Sequence, residues 1–520
     1  MPEQRPDPEE ERNKRAEKFA HYRISPDIMQ MFRDGSEVYT ANFAAPDAQK
    51  VILEINLDYI DGIKLAHDRL ERAVHDFTGR KSKIKSRYCV FASLTEGQLV
   101  ELVRMDSNQA EGNSRKRLIH KVWPDKPLDT FARTSIQTIK ADACIRSFGG
   151  GGQGIVWAVL DSGIDGKHPH FKTYHTLGRS ARSAAATPEE IWVHGQHQSF
   201  LDDDPNGRAT SDPLDDVFGH GTHVAGIIAG ATPPDAIPAH MLVRRRESDE
   251  VRIHHDQANE ELTGVAPRCK LISMKVLDKQ GRGNVSALLA AIDAVSEING
   301  DGRRILIHGV NISIGYNFDP EWYASGQSPV CVAVNRLVRT GVVVVVAAGN
   351  AGSAVLSTEK AGSKRVGLDQ SIGDPGNADL AITVGSTHAE APHTYGISYF
   401  SSRGPTTDGR DKPDLVAPGE RIVSCASAEA VQRAVQDVRF EDPNFKFDPN
   451  AAYYIDDTGT SMAAPHVSGV AAIFLSIHHE FIGQPEKLKE ILLASATDLK
   501  RKREYQGAGL VDLMRAVQSV

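Results

Sequence analysis

Five apolar runs decide most of what this chain can fold into: "GIVWAVLDSG" (154–163), "LISMKVL" (271–277), "ILIHGVNISIG" (305–315), "GVVVVVAAGN" (341–350) and "LAITVGST" (380–387). They are rich in β-branched residues and lack the polar alternation of a half-exposed strand. Strands apolar on both sides must be covered on both faces, and helix-length segments lie between them. The pattern indicates the α/β class, a parallel sheet with helices on both faces. Open sheets of this kind bind ligands outside the carboxyl ends of their strands, so the chemistry is sought there.

At 520 residues the chain exceeds one ordinary core. Residues 1–46 are polar and carry Pro2, Pro6 and Pro8, the composition of an arm that is at least partly disordered. Residues 47–127 read as a small α+β unit. Its strands are "VILEINL" (51–57), "IKSRYCVFASL" (84–94) and "KRLIHKVWPDK" (116–126). Its helices cover 61–77 and 96–105, with Thr95 and Gln98 spaced as a capping box. Residues 128–520 hold the parallel sheet, with expected surface insertions near 172–215, 231–262 and 425–457. The second of these is polar, carries prolines and is expected to be a mobile surface insertion near the helix that follows His220.

Composition narrows the setting. The five cysteines are odd in number and free of CxxC spacing, which reads as reduced thiols in a cytoplasmic protein. The charged N-terminus lacks the apolar core of a secretory signal, and no run reaches the roughly 18 apolar residues of a membrane span. A net charge of −8 argues against nucleic acid as a partner.

Four residues at strand ends and turns are candidates for chemistry. Asp161 closes a buried strand, His220 stands in "DVFGHGTHVAG", Asn350 follows the most apolar strand, and Ser461 stands in "DTGTSMAAPHV" ahead of a helical run. Each alone is ordinary turn or cap chemistry. Together they match the parts of acyl transfer. A serine nucleophile needs an imidazole base, the imidazole a carboxylate, and the tetrahedral intermediate a donor for its oxyanion. A helix opening at Ser461 adds a free N–H and a positive dipole end, and Pro465 is read as tolerated in its first turn.

The order Asp, His, Ser is that of subtilisin. "DSGID", "GHGTHVAG", "AAGN" and "GTSMAAPHVSG" resemble the motif blocks of the subtilases, peptidase family S8, as do "FSSRGP" (400–405) and "KPDLVAPG" (412–419). The resemblance implies a serine endopeptidase acting through an acyl-enzyme. In it Asp161 orients, His220 is general base then acid, Ser461 is the nucleophile and Asn350 stabilises the oxyanion. It also implies that substrate polypeptides add as a strand between Gly281-Arg282-Gly283 and Ser313-Ile314-Gly315, whose glycines allow close backbone approach. Val285, Leu288 and Ile314 would line an apolar pocket upstream of the cut. Residues 47–127 resemble the ferredoxin-like subtilase propeptide, an intramolecular inhibitor and chaperone, which implies a self-processing zymogen cut between Pro124 and Ser135. The stretch from Arg80 to Lys121 holds ten Lys or Arg against four Asp or Glu, a basic face suited to an acidic partner. The alternative is a catalytically silent peptide-binding protein on the same scaffold.

No cofactor is required by this reading. Subtilases commonly hold a tight calcium ion, but His170 stands where its aspartate is expected and the insertion after Gly230 replaces its loop. Calcium wants six to eight oxygens, so that site is expected to be lost. Asp202, Asp204 and Asn206 have the spacing that opens an EF-hand loop, but Pro213 stands where its glutamate belongs, so an acidic surface turn is the reading.

Overall fold

The computed structural model describes residues 23–24, 48–79, 86–110, 113–124, 134–201, 211–247, 250–317, 321, 324–358 and 362–520. The chain divides into two compact units, Met1–Thr130 and Phe131–Val520. The expected acidic turn at Asp202, Asp204 and Asn206 and the expected cleavage link at 125–133 lie outside the described residues.

In the first unit, β1 (Gln49–Ile55) is the middle strand of an antiparallel sheet between β2 (Cys89–Leu94) and β3 (Ile119–Pro124). Its alternation works as period-2 geometry requires, with Val51, Leu53 and Ile55 fully buried. Helix α1 (Ile63–Thr78) buries Ala66, Leu70 and Val74 at four-residue steps. Helix α2 (Glu96–Gln109) opens with the expected capping box, Gln98 N donating to Thr95 Oγ1 at 3.3 Å and Thr95 N to Gln98 Oε1 at 3.0 Å. Two residues of the expected arm are built into this unit. Arg23 is buried and donates to Asp106 Oδ2 at 2.7 Å and to the carbonyls of Ile119 and Val103 at 3.1 Å, and Ile24 bridges Val122.

The second unit is built from β4 (Val156–Asp161), β5 (Gln198–Ser199), α3 (His220–Ile228), β6 (Ala239–Glu247), β7 (Glu250–Ala258), β8 (Lys270–Lys275), α4 (Val285–Ile298), β9 (Gly309–Ile312), α5 (Pro329–Arg339), β10 (Val343–Ala347), β11 (Ser353–Thr358), β12 (Gly362–Gly367), β13 (Ile382–Thr387), β14 (Leu415–Pro418), β15 (Ile422–Cys425), α6 (Ala428–Gln436), β16 (Tyr453–Asp457), α7 (Thr460–Ile477) and α8 (Pro485–Ser495), with shorter helices besides. Seven strands form one parallel sheet in the order β14-β13-β10-β9-β4-β8-β5. Strand β4 shows why its sequence is apolar throughout. Trp157 and Val159 enter a core shared with α3 and α7, while Val156, Ala158 and Leu160 enter the opposite core with α4 and α5. Helix α7 is long and apolar enough to cross a membrane, but 89% of it is buried in this core.

Residues 231–262 do not form a loop. They fold into the hairpin β6–β7, which joins β15 and β16 in a second sheet ordered β15-β16-β6-β7. Strand β6 pairs in parallel with β16, His240 opposite Tyr453 and Leu242 opposite Ile455. Leu242, Ile253, Val431 and Tyr453 form a small core of their own, backed by Phe440 and Phe445. Strand β6 is covered on both faces, Met241 and Val243 entering the main core and Leu242 the small one, and charged pairs such as Arg245 with Asp256 at 2.5 Å and Arg252 with Glu441 at 2.6 Å hide these strands in the sequence.

Candidate active site

Asp161 ends β4, Ser313 follows β9, Asn350 lies just past β10, and Ser461 opens α7. The first three therefore stand at the carboxyl edge of the parallel sheet, and reciprocal hydrogen bonds with Ser313 bring Ser461 to the same edge.

The Ser461 side is held by neutral hydrogen bonds. Ser461 Oγ donates to the Ser313 carbonyl at 2.8 Å, and Ser313 Oγ donates to the Ser461 carbonyl at 2.9 Å. The second bond explains Pro465. The helix begins at Thr460, so Pro465 lies in its second turn, not the first. There it cannot supply the N–H that would bond the carbonyl of Ser461, four residues before it. The Ser313 hydroxyl takes that place. Asn311 Nδ2 donates to Ser313 Oγ at 2.9 Å, and Ser468 Oγ donates to Asn311 Oδ1 at 2.9 Å, which ties α7 to the middle of the sheet. Asn350 is oriented from the same helix. Its Oδ1 accepts from Thr460 N at 2.9 Å and from Thr460 Oγ1 at 3.0 Å, leaving its Nδ2 as the uncommitted donor. Asn350 and Ser461 both line a cavity of ≈ 260 Å³ whose walls include Ser313, Ile314, Gly315 and Ala348.

The His220 side is held by charge. His220 Nδ1 donates to Asp161, 2.8 Å from Oδ1 and 3.0 Å from Oδ2. Asp161 is wholly buried, and its Oδ1 also accepts from Ser162 N at 2.7 Å. The residue capping α3 is Gly219, which has no side chain to satisfy the first N–H groups of the helix. Asp216 does so from outside the helix, accepting from Gly219 N and Thr222 N at 2.8 Å each and from Thr222 Oγ1 at 2.6 Å. Burial pushes the Asp216 carboxyl above its ordinary range, against those bonds. Burial also opposes a charge on His220, but the Asp161 carboxylate, with Asp457 and Asp216 behind it, outweighs this and lifts the imidazole to about 9.

The hydroxyl of Ser461 bonds to Ser313, so a Ser461–His220 hydrogen bond requires rotation of the serine side chain. Such bonds are often absent or long in enzymes without substrate. His223, one turn beyond His220, is structural. Its Nε2 bonds the carbonyls of Ile422 and Ile455 at 3.1 and 3.0 Å and so joins α3 to β15 and β16.

Of the two expected substrate-binding segments, Ser313-Ile314-Gly315 lines the cavity. Gly281-Arg282-Gly283 forms a turn closed by Asp278, whose Oδ1 accepts from Gln280 N at 2.8 Å and Arg282 N at 2.9 Å. Arg282 is exposed. The close approach its glycines allow is to the protein itself. A Cβ on Gly281 would meet the Phe218 ring at 2.4 Å, and one on Gly283 would meet the Val276 carbonyl at 2.3 Å. Of the expected apolar lining, Leu288 is core at 5% exposure, while Val285 is 41% exposed.

The residues around His170 do not suit calcium. The ring is buried, its Nδ1 lies 3.0 Å from the Tyr454 hydroxyl, and that hydroxyl bonds Thr232. A Cβ on Gly230 would lie 2.5 Å from the ring, so the imidazole fills the space beside that loop. Burial, with His168 nearby, lowers its pKa to about 3. A neutral imidazole and two hydroxyls supply none of the carboxylate charge a tight calcium site uses. Among the described residues no cluster of three or more His, Cys, Asp or Glu is placed to hold a metal.

Residues 152–510 match the subtilase family. Over 454 residues, covering 84% of this chain and 82% of the relative, the sequence is 27% identical to the serine protease AprX of Bacillus subtilis. It is 27% identical to subtilisin E of the same species over 383 residues, 74% of this chain and 70% of that protein. To the major intracellular serine protease of Bacillus subtilis it is 29% identical over 374 residues, 71% of this chain and 83% of that protein.

Proposed function

The chain belongs to the subtilase family and is a serine-type endopeptidase acting on polypeptides, and we propose that Asp161, His220 and Ser461 are its catalytic triad, with Asn350 as oxyanion donor. The observation that carries this reading is the 2.8 Å bond that His220 Nδ1 donates to Asp161, at the same sheet edge where Ser461 and Asn350 line one cavity. The bond fixes the tautomer that leaves Nε2 as the base.

In this mechanism Ser461 Oγ turns from the Ser313 carbonyl and attacks the scissile carbonyl carbon while His220 Nε2 takes its proton. Negative charge gathers on the former carbonyl oxygen and is met by Asn350 Nδ2 and the N–H groups at the start of α7. As the C–N bond breaks, His220 gives its proton to the leaving amine. Water then repeats the sequence on the acyl-enzyme and restores Ser461. Asp161 stays ionised throughout and stabilises the imidazolium.

The first unit is read as a propeptide, cut from the second by Ser461 in the link between Pro124 and Ser135. Its support is the small α+β architecture and its place ahead of the catalytic unit. A metal-free enzyme in a reducing compartment fits the residues around His170 and the five free cysteines, four of them buried. Neither nucleic acid nor membrane enters the reading.

The test compares wild type with Ser461→Ala on a denatured polypeptide. The reading expects fragments from wild type alone. It also expects Ser461→Ala to keep its full-length mass while wild type loses its first unit. Equal intact masses would remove self-processing, and equal digestion would remove Ser461 from catalysis.

A further inference from the structure

His220 is the first residue of α3, so the aim of its ring depends on the turn that feeds the helix, residues 216–219. Gly219 stands in that turn at φ 89°, a left-handed conformation, and has no side chain to lock it. Asp216 closes the N–H groups of Gly219 and Thr222. The carbonyls of Val217 and Phe218 precede the helix and have no place in its hydrogen-bond ladder. Arg433 of α6 takes both, donating from Nη1 to the Val217 carbonyl at 2.8 Å and from Nη2 to the Phe218 carbonyl. A planar guanidinium bonded to two consecutive carbonyls fixes two peptide planes at once, which a point donor such as an ammonium does not.

The segment that carries Arg433 also packs along α3. A Cβ on Gly219 would lie 2.9 Å from both Ala430 and Ser427, and one on Gly226, two turns on, would lie 2.5 Å from Cys425 Sγ. Ser424 Oγ donates to the His223 carbonyl at 2.7 Å. Strand β15 and α6 thus form a rail beside α3. The rail is held in turn by the β6–β7 hairpin. Val431 of α6 is fully buried in the small core with Leu242, Ile253 and Tyr453. The chain after α6 is stitched to β7, Ile253 N donating to the Arg439 carbonyl at 2.8 Å and Glu441 N to the Ile253 carbonyl at 3.1 Å. The 231–262 and 425–457 insertions therefore build one module, and Arg433 is where it grips the turn before His220.

Ser461 is seated on the central sheet through Ser313, so a displacement of α3 changes the distance between base and nucleophile. We propose that Arg433 is a positioning residue for catalysis: through the carbonyls of Val217 and Phe218 it sets the turn that aims the His220 imidazole at Ser461, and the module made by the two insertions holds it there. The inference rests on the reading of His220 as the general base. Arg433 acts through the backbone and not on the reacting atoms.

The experiment measures kcat and KM on a short chromogenic peptide, with active sites counted by complete fluorophosphonate labelling. Arg433→Ala is expected to lower kcat per active site by about 10–10²-fold, the scale set by misplacing a reacting group by up to about 1 Å. KM should stay within about twofold, because the residues lining the cavity are untouched. Arg433→Lys, which serves one carbonyl at a time, should fall between Arg433→Ala and wild type. Guanidinium, added at a concentration that leaves wild type unchanged, should restore part of kcat in Arg433→Ala. It should restore none in Val431→Ala, which loosens α6 but keeps Arg433. A kcat per active site within about twofold of wild type in Arg433→Ala, or a change carried by KM instead, overturns the inference while the endopeptidase stands. So does a fall that neither Arg433→Lys nor guanidinium relieves. Where Arg433→Ala yields no folded protein, Arg433→Lys decides: a lower kcat at unchanged KM and melting temperature supports the inference, and wild-type kcat overturns it. Absence of cleavage by wild type overturns the endopeptidase reading and this inference with it.

Discussion

The two helices that supply the proposed nucleophile and base are fixed by different physics. Helix α7, which carries Ser461, is tied to the central sheet through Ser313, Asn311 and Ser468, and to Asn350 through Thr460, all uncharged groups. Helix α3, which carries His220, is tied by Asp161 and Asp216, and the residues before it by Arg433. Neutral bonds to a buried sheet give Ser461 a position that does not respond to pH. Carboxylates around the imidazole give it a proton affinity that does. Ser461 is placed by geometry and His220 is tuned by charge.

The largest effect should come from the neutral half. Asn350→Ala is expected to lower kcat by about 10²–10³ with little change in KM, a magnitude taken over from loss of the oxyanion donor in the relative subtilisin. A change confined to KM would make Asn350 a binding residue and break its place in this half of the comparison.

Next comes Ser313→Ala. It strips the Ser461 carbonyl of the donor that replaces the missing Pro465 N–H. Stability should fall by about 1–3 kcal/mol, the cost of a buried acceptor left without a partner. Denaturant unfolding in the Ser461→Ala background, which prevents self-digestion, measures it. An unchanged midpoint would show that water serves that carbonyl equally well.

The charged half predicts a pH profile. The general base must be neutral, and the Asp161 field raises His220 to about 9, so kcat/KM should climb as pH rises through about 9. Asp457→Asn removes a raising charge and should move that limb to lower pH, while Ser313→Ala leaves it in place. If Ser313→Ala moves the limb as far as Asp457→Asn does, the two halves are not distinct. Folding should show the matching sign. Because the folded pKa lies above the ordinary 6.5, the stabilising contribution of the His220 charge is fully present below pH 6.5 and fades as pH rises toward about 9. Comparing the unfolding of Ser461→Ala with and without His220→Gln across that window measures it.

The smallest expected effect is none. Chelator, then millimolar calcium, should leave the thermal unfolding of Ser461→Ala where it was. A site filled at 100 times its dissociation constant would add about 2.7 kcal/mol, which a melting curve would register. A shift abolished by His170→Ala would restore a metal to the place the imidazole fills.

The neutral half was largely legible in the sequence. The apolar strand that runs into Asn350 and the serine before a small-residue helix are each ordinary alone, but together they mark this half, because buried strands and close-packed turns tolerate few residue types. The braces of the charged half were not. Asp216 stands four residues before His220 in "LDDVFGHG" and looks like any acidic turn residue. Arg433 lies more than two hundred residues from the backbone it holds. Ser162 and Thr460 sit inside the recognised motifs, yet their roles depend on partners far along the chain, Gly221 for one and Asn350 for the other. The hairpin β6–β7 was not legible because the arginines and acids along both strands mask a short apolar run, Met241 to Val243, that is buried on both faces. Pro465 was placed one turn early, since a helix start is set by backbone geometry that a serine and a proline do not fix alone.

The central claim is that Ser461 is a nucleophile activated by His220. The most direct measurement is to treat the protein with a fluorophosphonate and locate the adduct by peptide mass spectrometry. The account predicts one phosphonyl group, on Ser461, formed faster as pH rises toward about 9 and lost in His220→Ala. An adduct on another residue, or labelling of Ser461 at the same rate without His220, would contradict it.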